Sequence, residues 1–598
     1  MGFSTRIFYG PNVYTPYAAV MADFEQPFTQ RVMASAVDAH WQRAGNPSLS
    51  PQGWVLPDLD FVELMVHIAV TLQHPGAHEQ AKVSVVRHTT QTSVCLGFLY
   101  APATVLVLKS AFNFTERLFQ IVTHNASPLE PIIPSLQRLK IQLDQWLPQR
   151  PIIRTLIDHA HRRSIPVAPV APNSYIWMLG HGVKAKHYAE AANDKDSFTG
   201  MKLQRDKTLS NIWVKKLGFP GVQHAVARDF AQAQSIARQL HYPVVVKPIA
   251  SGKGHGVSAY VVDDEDLAVA FDKAASASPA GVIVERHVVG NDHRLAVFGG
   301  KVAWVAARYP ASVKGDGVSS IAQLIQLENQ RRQLDPIAAE LGLIPIVVEP
   351  DMIQHLKKQG LTLDSHPPQD LTVKLRSIAN ISKGGSIADV TDVTHPDNIE
   401  MAETLARCFR MDTLGVDFMT PDISRSWRDT PCAVIEVNGM PGIFFDDRAA
   451  RILKAAFGDN SNGRIPSILL IDTPPNIAEL IVQLLRDHPL RVGWVGDQFT
   501  QLQGRPRCQA NDPLHHRVGA LLADPDCEAI VIESNAHHMQ TAGLALDRFD
   551  LALVNSPMPD ELSALLQRHS TQCIDSTVTP QQLAAIVKLI IEQHAIGV

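Results

Sequence analysis

The stretch Ala433-Val434-Ile435-Glu436-Val437-Asn438-Gly439-Met440-Pro441-Gly442 is the most informative part of this sequence. It begins as an apolar strand, and residues two apart on a strand share a face, so Glu436 and Asn438 point to the same side. Carboxylate and amide oxygens of this kind, completed by substrate phosphates, suit Mg²⁺. Upstream, Gly415-Val416-Asp417-Phe418 supplies a second carboxylate between apolar neighbours. We therefore predict a magnesium site formed by Asp417, Glu436 and Asn438; the alternative is two ordinary strands with acids at their ends.

A glycine-rich segment earlier in the chain has the composition of a phosphate-binding loop. The β-branched strand Tyr242-Pro243-Val244-Val245-Val246-Lys247-Pro248 runs into Ser251-Gly252-Lys253-Gly254-His255-Gly256-Val257. Glycines let backbone N–H groups approach phosphate oxygens closely, and lysines add positive charge. The segment lacks the Gly-Lys-Ser/Thr ending of a Walker loop, so taken alone it also fits a hairpin turn. Two further strands are predicted after it, at Gly281–Glu285 and Leu295–Phe298.

The order of these segments resembles that of the ATP-grasp ligases, and more closely that of the cyanophycin synthetases. The resemblance covers roughly residues 170 to 450, and it is specific because many separate short motifs fall in one order. Its motifs are Asp206-Lys207, Glu285 to Arg294, Arg308-Tyr309-Pro310-Ala311, Gly315-Asp316-Gly317, Leu375 to Gly385 and Asp389 to Asp397.

This resemblance implies that ATP and Mg²⁺ are the cofactors and assigns roles to individual residues. The residues implied in nucleotide binding are Lys207 and Lys247 at the phosphates, Ser251, Gly252, Lys253, Gly254 and Gly256 in the covering loop, Glu285 and Val288 at the adenine, and Asp292 at the ribose. The residues implied in catalysis are Arg294, Arg308 and Arg376 at the phosphoryl and acyl-phosphate oxygens, with Asn380 and Ser382 at the acceptor carboxylate. Arginine suits bidentate contact with oxyanions better than lysine does. The alternative for each arginine is a surface salt bridge; we favour function for Arg294 and Arg376, and Arg308 fits both.

The predicted fold class is α/β, with an α+β ATP-grasp core between two other domains. Residues 1–165 mix predicted strands at Lys82–Val86 and Thr104–Leu108 with a predicted helix at Pro134–Leu147, and they form either a polymer-holding domain, as the resemblance implies, or a structural one. Residues 166–455 form the ATP-grasp ligase domain. Residues 456–598 alternate strands and helices as parallel α/β folds do. The strands predicted there are Ser467–Ile471, Ala529–Ile532 and Leu551–Val554, with a helix at Ile477–Leu485.

The third segment resembles the first part of the Mur-ligase-like half of cyanophycin synthetase, through Leu521–Glu533 and Leu546–Asn555. In that half, the loop Gly-Thr-Asn-Gly-Lys-Thr-Thr follows the first strand. Here the strand is followed by Asp472-Thr473-Pro474-Pro475-Asn476, in which two prolines remove backbone N–H donors and an aspartate repels phosphate. The chain also stops at Val598, before the rest of a Mur ligase would fit. We therefore expect a truncated Mur-ligase-like domain without a phosphate loop, and one ATP site.

Composition and charge narrow the partners that we expect. The chain has 598 residues, of which 45% are hydrophobic and 19% charged, as in ordinary soluble proteins. Its net charge of −5 argues against nucleic acid as a binding partner, and no apolar run is long enough to cross a bilayer. The six cysteines are scattered and form no Cys-x-x-Cys pair, so we expect a cytoplasmic protein with reduced thiols.

The function that we predict is ATP-dependent amide ligation. In the resembling family, one ATP site adds Asp to the polymer backbone and a second attaches Arg. The chain resembles the truncated type of this family, which polymerises preformed β-Asp-Arg dipeptides into cyanophycin, and the resemblance makes this the function that we favour, carried out by a homodimer or homotetramer. One alternative is an ATP-grasp ligase that joins other amino acids or small peptides. Another is a non-catalytic partner that binds the polymer or a full synthetase.

Overall fold

The structure is a computed structural model. It describes residues 3–24, 31–32, 59–73, 83–87, 92–97, 101–124, 151–171, 174–249, 256–278, 280–334, 343–376, 379, 383–442, 446–509, 511–555 and 557–595. The chain forms two compact units, one combining Met1–His187 with Asp459–Val598 and the other consisting of Tyr188–Gly458. The three-domain boundaries predicted above remain a prediction.

The N-terminal segment contains a four-stranded antiparallel sheet, in the order β1-β2-β6-β5. The strands of this sheet are β1 (Phe3–Phe8), β2 (Ala19–Phe24), β5 (Val83–Arg87) and β6 (Thr92–Gly97). The segment also contains β3 (Arg31–Val32), which pairs with β4 (Leu59–Asp60), and β7 (Val167–Pro169), which pairs with β8 (Ile176–Leu179). Its helices are α1 (Phe61–Gln73), α2 (Ala101–His124) and α3 (Pro151–Arg162). The strand predicted at Lys82–Val86 is confirmed by β5. The helix predicted at Pro134–Leu147 lies outside the described residues.

The strand predicted at Thr104–Leu108 is wrong, because these residues lie inside helix α2. A short run of apolar and β-branched residues fits a buried strand and a buried helix equally well. The longer context decides for a helix, since Thr104, Val107, Leu108 and Ala111 are buried at helical spacing.

The second unit contains a four-stranded antiparallel sheet, in the order β11-β14-β12-β13. The elements along this part of the chain are β9 (Lys186–Ala189), β10 (Ala192–Asn193), α4 (Phe198–Arg205), α5 (Lys207–Lys216), β11 (His224–Ala227), α6 (Phe230–Leu240), β12 (Val244–Pro248), β13 (Ser258–Val261), α7 (Asp264–Ala277) and β14 (Val282–Arg286). Buried alanines of α6 and α7 pack on the valines of β12 and β14, so both helices cover one face of this sheet. The strand predicted at Gly281–Glu285 is confirmed by β14.

A five-stranded antiparallel sheet follows in this unit, in the order β19-β16-β15-β20-β21. The elements along this part of the chain are β15 (Asn291–Phe298), β16 (Lys301–Tyr309), β17 (Ser312–Lys314), α8 (Ile321–Leu334), α9 (Pro350–Lys358), β18 (Thr372–Lys374), β19 (Ser386–Asp389), α10 (Pro396–Phe409), β20 (Leu414–Thr420), β21 (Ala433–Asn438) and α11 (Asp446–Phe457). Of these, β17 and β18 pair with each other outside the sheet. One face of the sheet is apolar: Leu295, Val416 and Val437 pack there with residues of α10. Side chains alternate along a strand, so the polar residues between them lie on the other face.

The C-terminal segment forms a seven-stranded sheet, in the order β25-β24-β23-β26-β22-β27-β28. Its elements are β22 (Ser467–Ile471), α12 (Pro475–Asp487), β23 (Val492–Val495), β24 (Thr500–Leu502), β25 (Arg505–Pro506), α13 (Leu514–Leu522), β26 (Ala529–Ser534), α14 (Ala536–Ala542), β27 (Phe549–Val554), α15 (Asp560–His569), β28 (Ser570–Asp575) and α16 (Pro580–Ala595). The central strand β22 pairs in parallel with β26 and β27. The parallel α/β pattern predicted for this segment, with its three strands and its first helix, is therefore confirmed.

The turn after β22 is short and closed. Only Asp472, Thr473 and Pro474 separate β22 from α12, and the backbone N–H of Asp472 donates to the Ser534 carbonyl at 3.2 Å. Pro474 and Pro475 have no N–H to offer at the start of the helix. These features leave little of the donor-rich loop with which a helix N-terminus holds phosphate.

No helix in the described part of the chain is both long and apolar enough to cross a membrane.

Candidate active site

The register of the five-stranded sheet gathers five of the predicted charged residues on one face. Asp417 of β20 lies opposite Arg294 of β15 and Glu436 of β21, and Asp292 of β15 lies opposite Arg308 of β16. Residues opposite each other in an antiparallel pair share a face, and so do residues two apart on a strand. Asp292, Arg294, Arg308, Asp417, Glu436 and Asn438 therefore form one polar surface, which we call the charged sheet face.

Asp417 is the centre of the charged sheet face. One of its oxygens, Oδ1, accepts hydrogen bonds from Arg294 Nε and lies 3.0 Å from Arg308 Nη2. The other, Oδ2, accepts from Arg294 Nη2 and from Asn438 Nδ2, each at 3.2 Å. A carboxylate offers about four lone-pair positions, and all of those on Asp417 are used.

The two arginines keep this carboxylate ionised. Burial would raise the pKa of Asp417, but Arg294 and Arg308 outweigh burial, and its pKa lies below the ordinary value. Burial raises the pKa of Asp292, against the attraction of Arg308 at 2.6 Å. Burial would also lower the pKa of Arg308, but its two carboxylate partners raise it. The Asp417 carboxylate is therefore ionised at neutral pH and holds both guanidinium groups beside it.

The predicted phosphate-binding Lys247 pairs with Glu285. Lys247 lies on β12 and Glu285 on β14, and their side chains meet at 2.6 Å between Nζ and Oε2. Both residues are buried. The Glu285 carboxylate is thus bound to the lysine amine, and the adenine role that the resemblance implies for Glu285 remains a prediction. Val288 lies half-buried just after β14, in the connection to β15.

Lys207 is the first residue of helix α5, and its amine faces the charged sheet face. Its Nζ lies 3.9 Å from Glu436 Oε1. Burial lowers the pKa of Lys207 and the positive charge of Lys247 acts in the same direction, while Glu436 and Glu285 oppose both effects. The structure thus brings the two predicted phosphate lysines close enough for their charges to interact.

Glu436 and Asn438 fit a magnesium ion better than Asp417 does. The Glu436 side chain is 32% exposed, and Asn438 donates its amide nitrogen to Asp417, which leaves its amide oxygen for another partner. Asp417 would have to exchange a hydrogen bond to coordinate a metal. In the described part of the chain, no group of three or more His, Cys, Asp or Glu side chains could hold a metal ion. A site with one or two carboxylates, completed by phosphates, is nevertheless what Mg²⁺ commonly uses.

The glycine-rich loop is described at its end. Gly256 has φ +76°, and a Cβ atom there would lie 2.9 Å from Ala277 Cβ, so this position requires glycine. Ser251, Gly252, Lys253 and Gly254 lie outside the described residues, as do Asn380 and Ser382.

The structure places Arg376 in a different ion cluster. Its guanidinium donates to Asp351, to Glu349 at 2.9 Å and to the Val347 carbonyl at 3.0 Å. Lys383 binds the same Glu349 carboxylate at 2.7 Å. This cluster belongs to the small layer of α8, α9, β17 and β18 that is inserted between β16 and β19, not to the charged sheet face. The catalytic role predicted for Arg376 remains a prediction.

Sequence reasoning missed the partners Glu349 and Asp351, and also the importance of Gly415. A Cβ atom at Gly415 would lie 2.8 Å from Arg294 Nη1. A glycine inside an apolar strand is itself a signal of close approach by another group. No comparable signal connects Glu349 or Asp351 to Arg376 across the intervening sequence.

Comparisons with known proteins show which sequences and structures this chain is similar to. The family model described as D-ala D-ala ligase C-terminus matches residues 214–316. The cyanophycin synthetase of Synechocystis sp. is 30% identical over 425 residues, which are 69% of this chain and 48% of that protein. The glutathione biosynthesis bifunctional protein GshAB of Mannheimia succiniciproducens is 32% identical over 266 residues, 41% of this chain and 33% of that protein. Among solved structures, a bifunctional glutathione synthetase from Pasteurella multocida is similar with a TM-score of 0.39 and 24% identity, over 59% of this chain and 52% of that one.

The sheets, the charged sheet face and the sequence matches define an ATP-grasp ligase. Within that class, the relatives that match most of this chain are cyanophycin synthetases, over 69% of the chain for one and 76% for another. The chain spans about half the length of the curated relatives it matches, 48% of one cyanophycin synthetase and 53% of another.

Proposed function

We propose that this protein is an ATP-dependent carboxylate–amine ligase that polymerises β-Asp-Arg dipeptides into cyanophycin. The observation that carries the proposal is the pair of charged guanidinium groups held by Asp417 beside Glu436 and Lys207. Such an array presents fixed donors to a phosphoryl group and an acyl phosphate, which is the kind of preorganised electrostatic stabilisation that amide ligation needs.

The proposed reaction has two steps. In the first, an oxygen of the acceptor carboxylate attacks the γ-phosphorus of ATP, the bond to the β–γ bridging oxygen breaks, and ADP leaves with the electron pair. In the second, the amine of the other substrate attacks the acyl carbon and loses a proton, and inorganic phosphate leaves with the electrons of the broken C–O bond. The products are an amide, ADP and phosphate.

The residues of the charged sheet face would act mainly by position and charge. Lys207 and Lys247 supply cations for the ATP phosphates, and the Glu285 carboxylate holds the Lys247 amine in one place. Arg294 and Arg308 would stabilise charge that develops on the transferred phosphoryl group and the acyl phosphate. Glu436 and Asn438 would hold Mg²⁺, which neutralises phosphate charge when bound.

The dipeptide substrate rests on the family and on the turn after β22. The relatives named cyanophycin synthetase support Asp and Arg as the building blocks. The short turn with Pro474 and Pro475 argues against a second ATP site, and attachment of free Arg would need one. If the substrate is a dipeptide that already contains Arg, no second ATP site is needed. We further propose a cytoplasmic homo-oligomer, since soluble enzymes are commonly symmetric oligomers.

A second candidate is an ATP-grasp ligase that joins other amino acids or small peptides. The matches to GshAB proteins favour it, because they show the same core in a different biosynthetic protein. A non-catalytic role in binding the polymer or a full synthetase is less well supported, since the lysines and acids needed for catalysis are present.

One assay separates these functions. Purified protein receives ATP and Mg²⁺ with β-Asp-Arg, with free Asp plus Arg, or with other amino acids and peptides; ADP release is followed and products are weighed by mass spectrometry. We expect ADP and a high-mass polymer with the dipeptide only. ADP release with another acceptor and none with the dipeptide would favour the second candidate, and no ADP release with any acceptor would refute ligation. Polymer from the free amino acids would contradict the single-site argument.

A further inference from the structure

Gly415 is the only residue of β20 without a side chain, and it lies beside the most central arginine of the charged sheet face. A glycine inside a strand weakens the strand, because it has no side chain to pack and is flexible in the unfolded chain. Gly415 is buried, and its φ is not in the left-handed region, so backbone conformation does not explain it. Its surroundings do explain it.

The Arg294 side chain lies across Gly415. A Cβ atom built at Gly415 would be 2.8 Å from Arg294 Nη1 and 3.1 Å from Arg294 Cδ, with Pro441 Cβ at 3.2 Å on another side. Real Cβ atoms essentially never approach another heavy atom within 3.0 Å. A side chain at position 415 would therefore displace the guanidinium, because Pro441, the other group close to that Cβ, has a rigid ring that cannot rotate away.

In this orientation, only part of the Arg294 guanidinium binds Asp417. The edge formed by Nε and Nη2 donates to the two oxygens of Asp417. The remaining amino group, Nη1, lies over Gly415, and no acceptor among the described residues takes a hydrogen bond from it. The side chain of Arg294 is 16% exposed, so it is not sealed inside the protein.

We infer that Gly415 is a positioning residue: it leaves the space in which Arg294 lies flat on β20, with Nη1 open to an oxyanion of the reacting groups. The inference rests on the proposed ligase function and adds a specific donor atom and the residue that keeps its place free. Gly415 itself touches no substrate. Its effect passes through the direction of the Arg294 guanidinium.

The experiment is a double-mutant cycle with Gly415→Ala, Arg294→Lys and the combination, using the full chain. Gly415→Ala is expected to lower kcat and kcat/KM about equally, by about 100-fold, because an oxyanion donor acts in the transition state. The Kd for a non-hydrolysable ATP analogue should change less than about threefold, since the lysines remain. In the Arg294→Lys background, which lacks Nη1, adding Gly415→Ala should lower kcat by less than about threefold, because the two changes then act on the same lost donor. Gly519→Ala is the matched control, because a Cβ atom there meets nothing within 4 Å.

Three results would overturn the inference. The first is a Gly415→Ala protein with kcat close to that of the Gly519→Ala control. The second is an equal loss of kcat from Gly415→Ala with Arg294 and with lysine at that position. The third applies if Gly415→Ala does not fold: the double variant Gly415→Ala, Arg294→Ala, which removes the clashing atoms, should then recover the Tm of Arg294→Ala, and failure to do so would show that Arg294 is not the reason for the glycine. Absence of turnover in the unmodified protein would instead contradict the proposed function.

Discussion

The Lys247 amine and the Glu285 carboxylate meet at 2.6 Å on neighbouring strands β12 and β14, and each is almost completely buried. A charge in the interior of a protein is costly unless it has a partner. Each of these two residues therefore keeps the other in place. Lys247 consequently has a structural role in addition to the nucleotide-binding role that we propose for it.

Replacing Lys247 should affect stability and nucleotide binding separately. Lys247→Met leaves Glu285 buried without its partner and should lower the free energy of unfolding by about 3–5 kcal/mol. The double variant Lys247→Met, Glu285→Gln removes both charges and should recover much of that loss, but it should still fail to bind ATP. Urea denaturation and titration calorimetry with a non-hydrolysable ATP analogue measure the two effects. A double variant that binds the analogue normally would contradict the role of Lys247.

The protein should bind one ATP per chain. The short turn Asp472–Pro474, whose backbone is tied to Ser534, offers no donor-rich loop to a second nucleotide. Calorimetric titration with the same analogue should give one site per protomer. Two sites per protomer, of which one survives Lys247→Met, would contradict this prediction.

Most of the fold was predictable because its signals are local. Strand β21 and the parallel strands of the C-terminal segment are apolar runs bounded by turn residues, and such runs need no tertiary information. The exception, Thr104–Leu108, is an apolar run within a longer helix, where the same residues fit both structures. Short segments leave that ambiguity, and only the surrounding periodicity resolves it.

Strand periodicity predicts which residues share a face of the sheet, but it does not predict how they pair across strands. Glu436 and Asn438 share a face because strand periodicity requires it. The pairing of Asp417 with Arg294 and Arg308 depends on how three strands align, and sequence alone does not fix that register. For the same reason, the sequence gives no sign of the ion pair between Glu285 and Lys247. Long-range ion pairs such as Arg376 with Glu349 leave no pattern in the sequence.

The two acids of the predicted magnesium site should respond differently to loss of charge. Glu436→Gln removes a partly exposed carboxylate and should abolish ADP release with little change in Tm, because its ion pair with Lys207 is long, at 3.9 Å. Asp417→Asn leaves two mostly buried guanidinium groups, 16% and 17% exposed, without their shared anion and should reduce both turnover and the free energy of unfolding, the latter by about 3 kcal/mol. Thermal melting and steady-state assays test both variants. Near-normal turnover in Glu436→Gln would refute its metal role, and an unchanged Tm in Asp417→Asn would refute the importance of its ion pairs.

His181 should make the first unit sensitive to mild acid. Burial lowers the pKa of His181 to about 3, with Arg464 acting in the same direction and Asp547 against it. The unfolded chain has a histidine of ordinary pKa, about 6.5, so between these values the unfolded state binds a proton that the folded state excludes. Stability is therefore lost as the pH falls from about 6.5 toward 3, by up to about 1.4 kcal/mol per pH unit.

Replacing that imidazole should reduce the sensitivity. His181→Asn has no proton to gain, so its free energy of unfolding should fall less between pH 7 and pH 5 than that of the unmodified protein. Urea denaturation at the two pH values, with hydrogen exchange of peptides around Arg464 as a local probe, measures the difference. The exposed His537→Asn serves as the control and should keep the original slope. The same pH dependence in His181→Asn and in the control would contradict the prediction.

Within the first unit, the C-terminal segment packs against the N-terminal segment and forms hydrogen bonds with it. The backbone N–H of Leu544 donates to the Pro11 carbonyl at 2.8 Å, and Arg464 Nε donates to the Ser164 carbonyl at 3.1 Å. A Cβ atom at Gly10 would lie 2.0 Å from the Leu544 carbonyl oxygen, so the two backbones are in direct contact. The segment thus has a packing role that does not depend on a nucleotide site.

Deleting Asp459–Val598 should therefore damage the N-terminal segment rather than the charged sheet face. The deletion removes the partners of Pro11 and Ser164 and exposes apolar surface that α14 and the central sheet now cover. We expect lower solubility or altered oligomeric mass, and faster hydrogen exchange at β1 than in the full chain, measured by light scattering and mass spectrometry. Strand β20 lies in the other unit and should keep its exchange protection, which serves as the internal control. A shortened chain with full activity, unchanged oligomeric mass and unchanged exchange at β1 would show that the C-terminal segment does not support the N-terminal one.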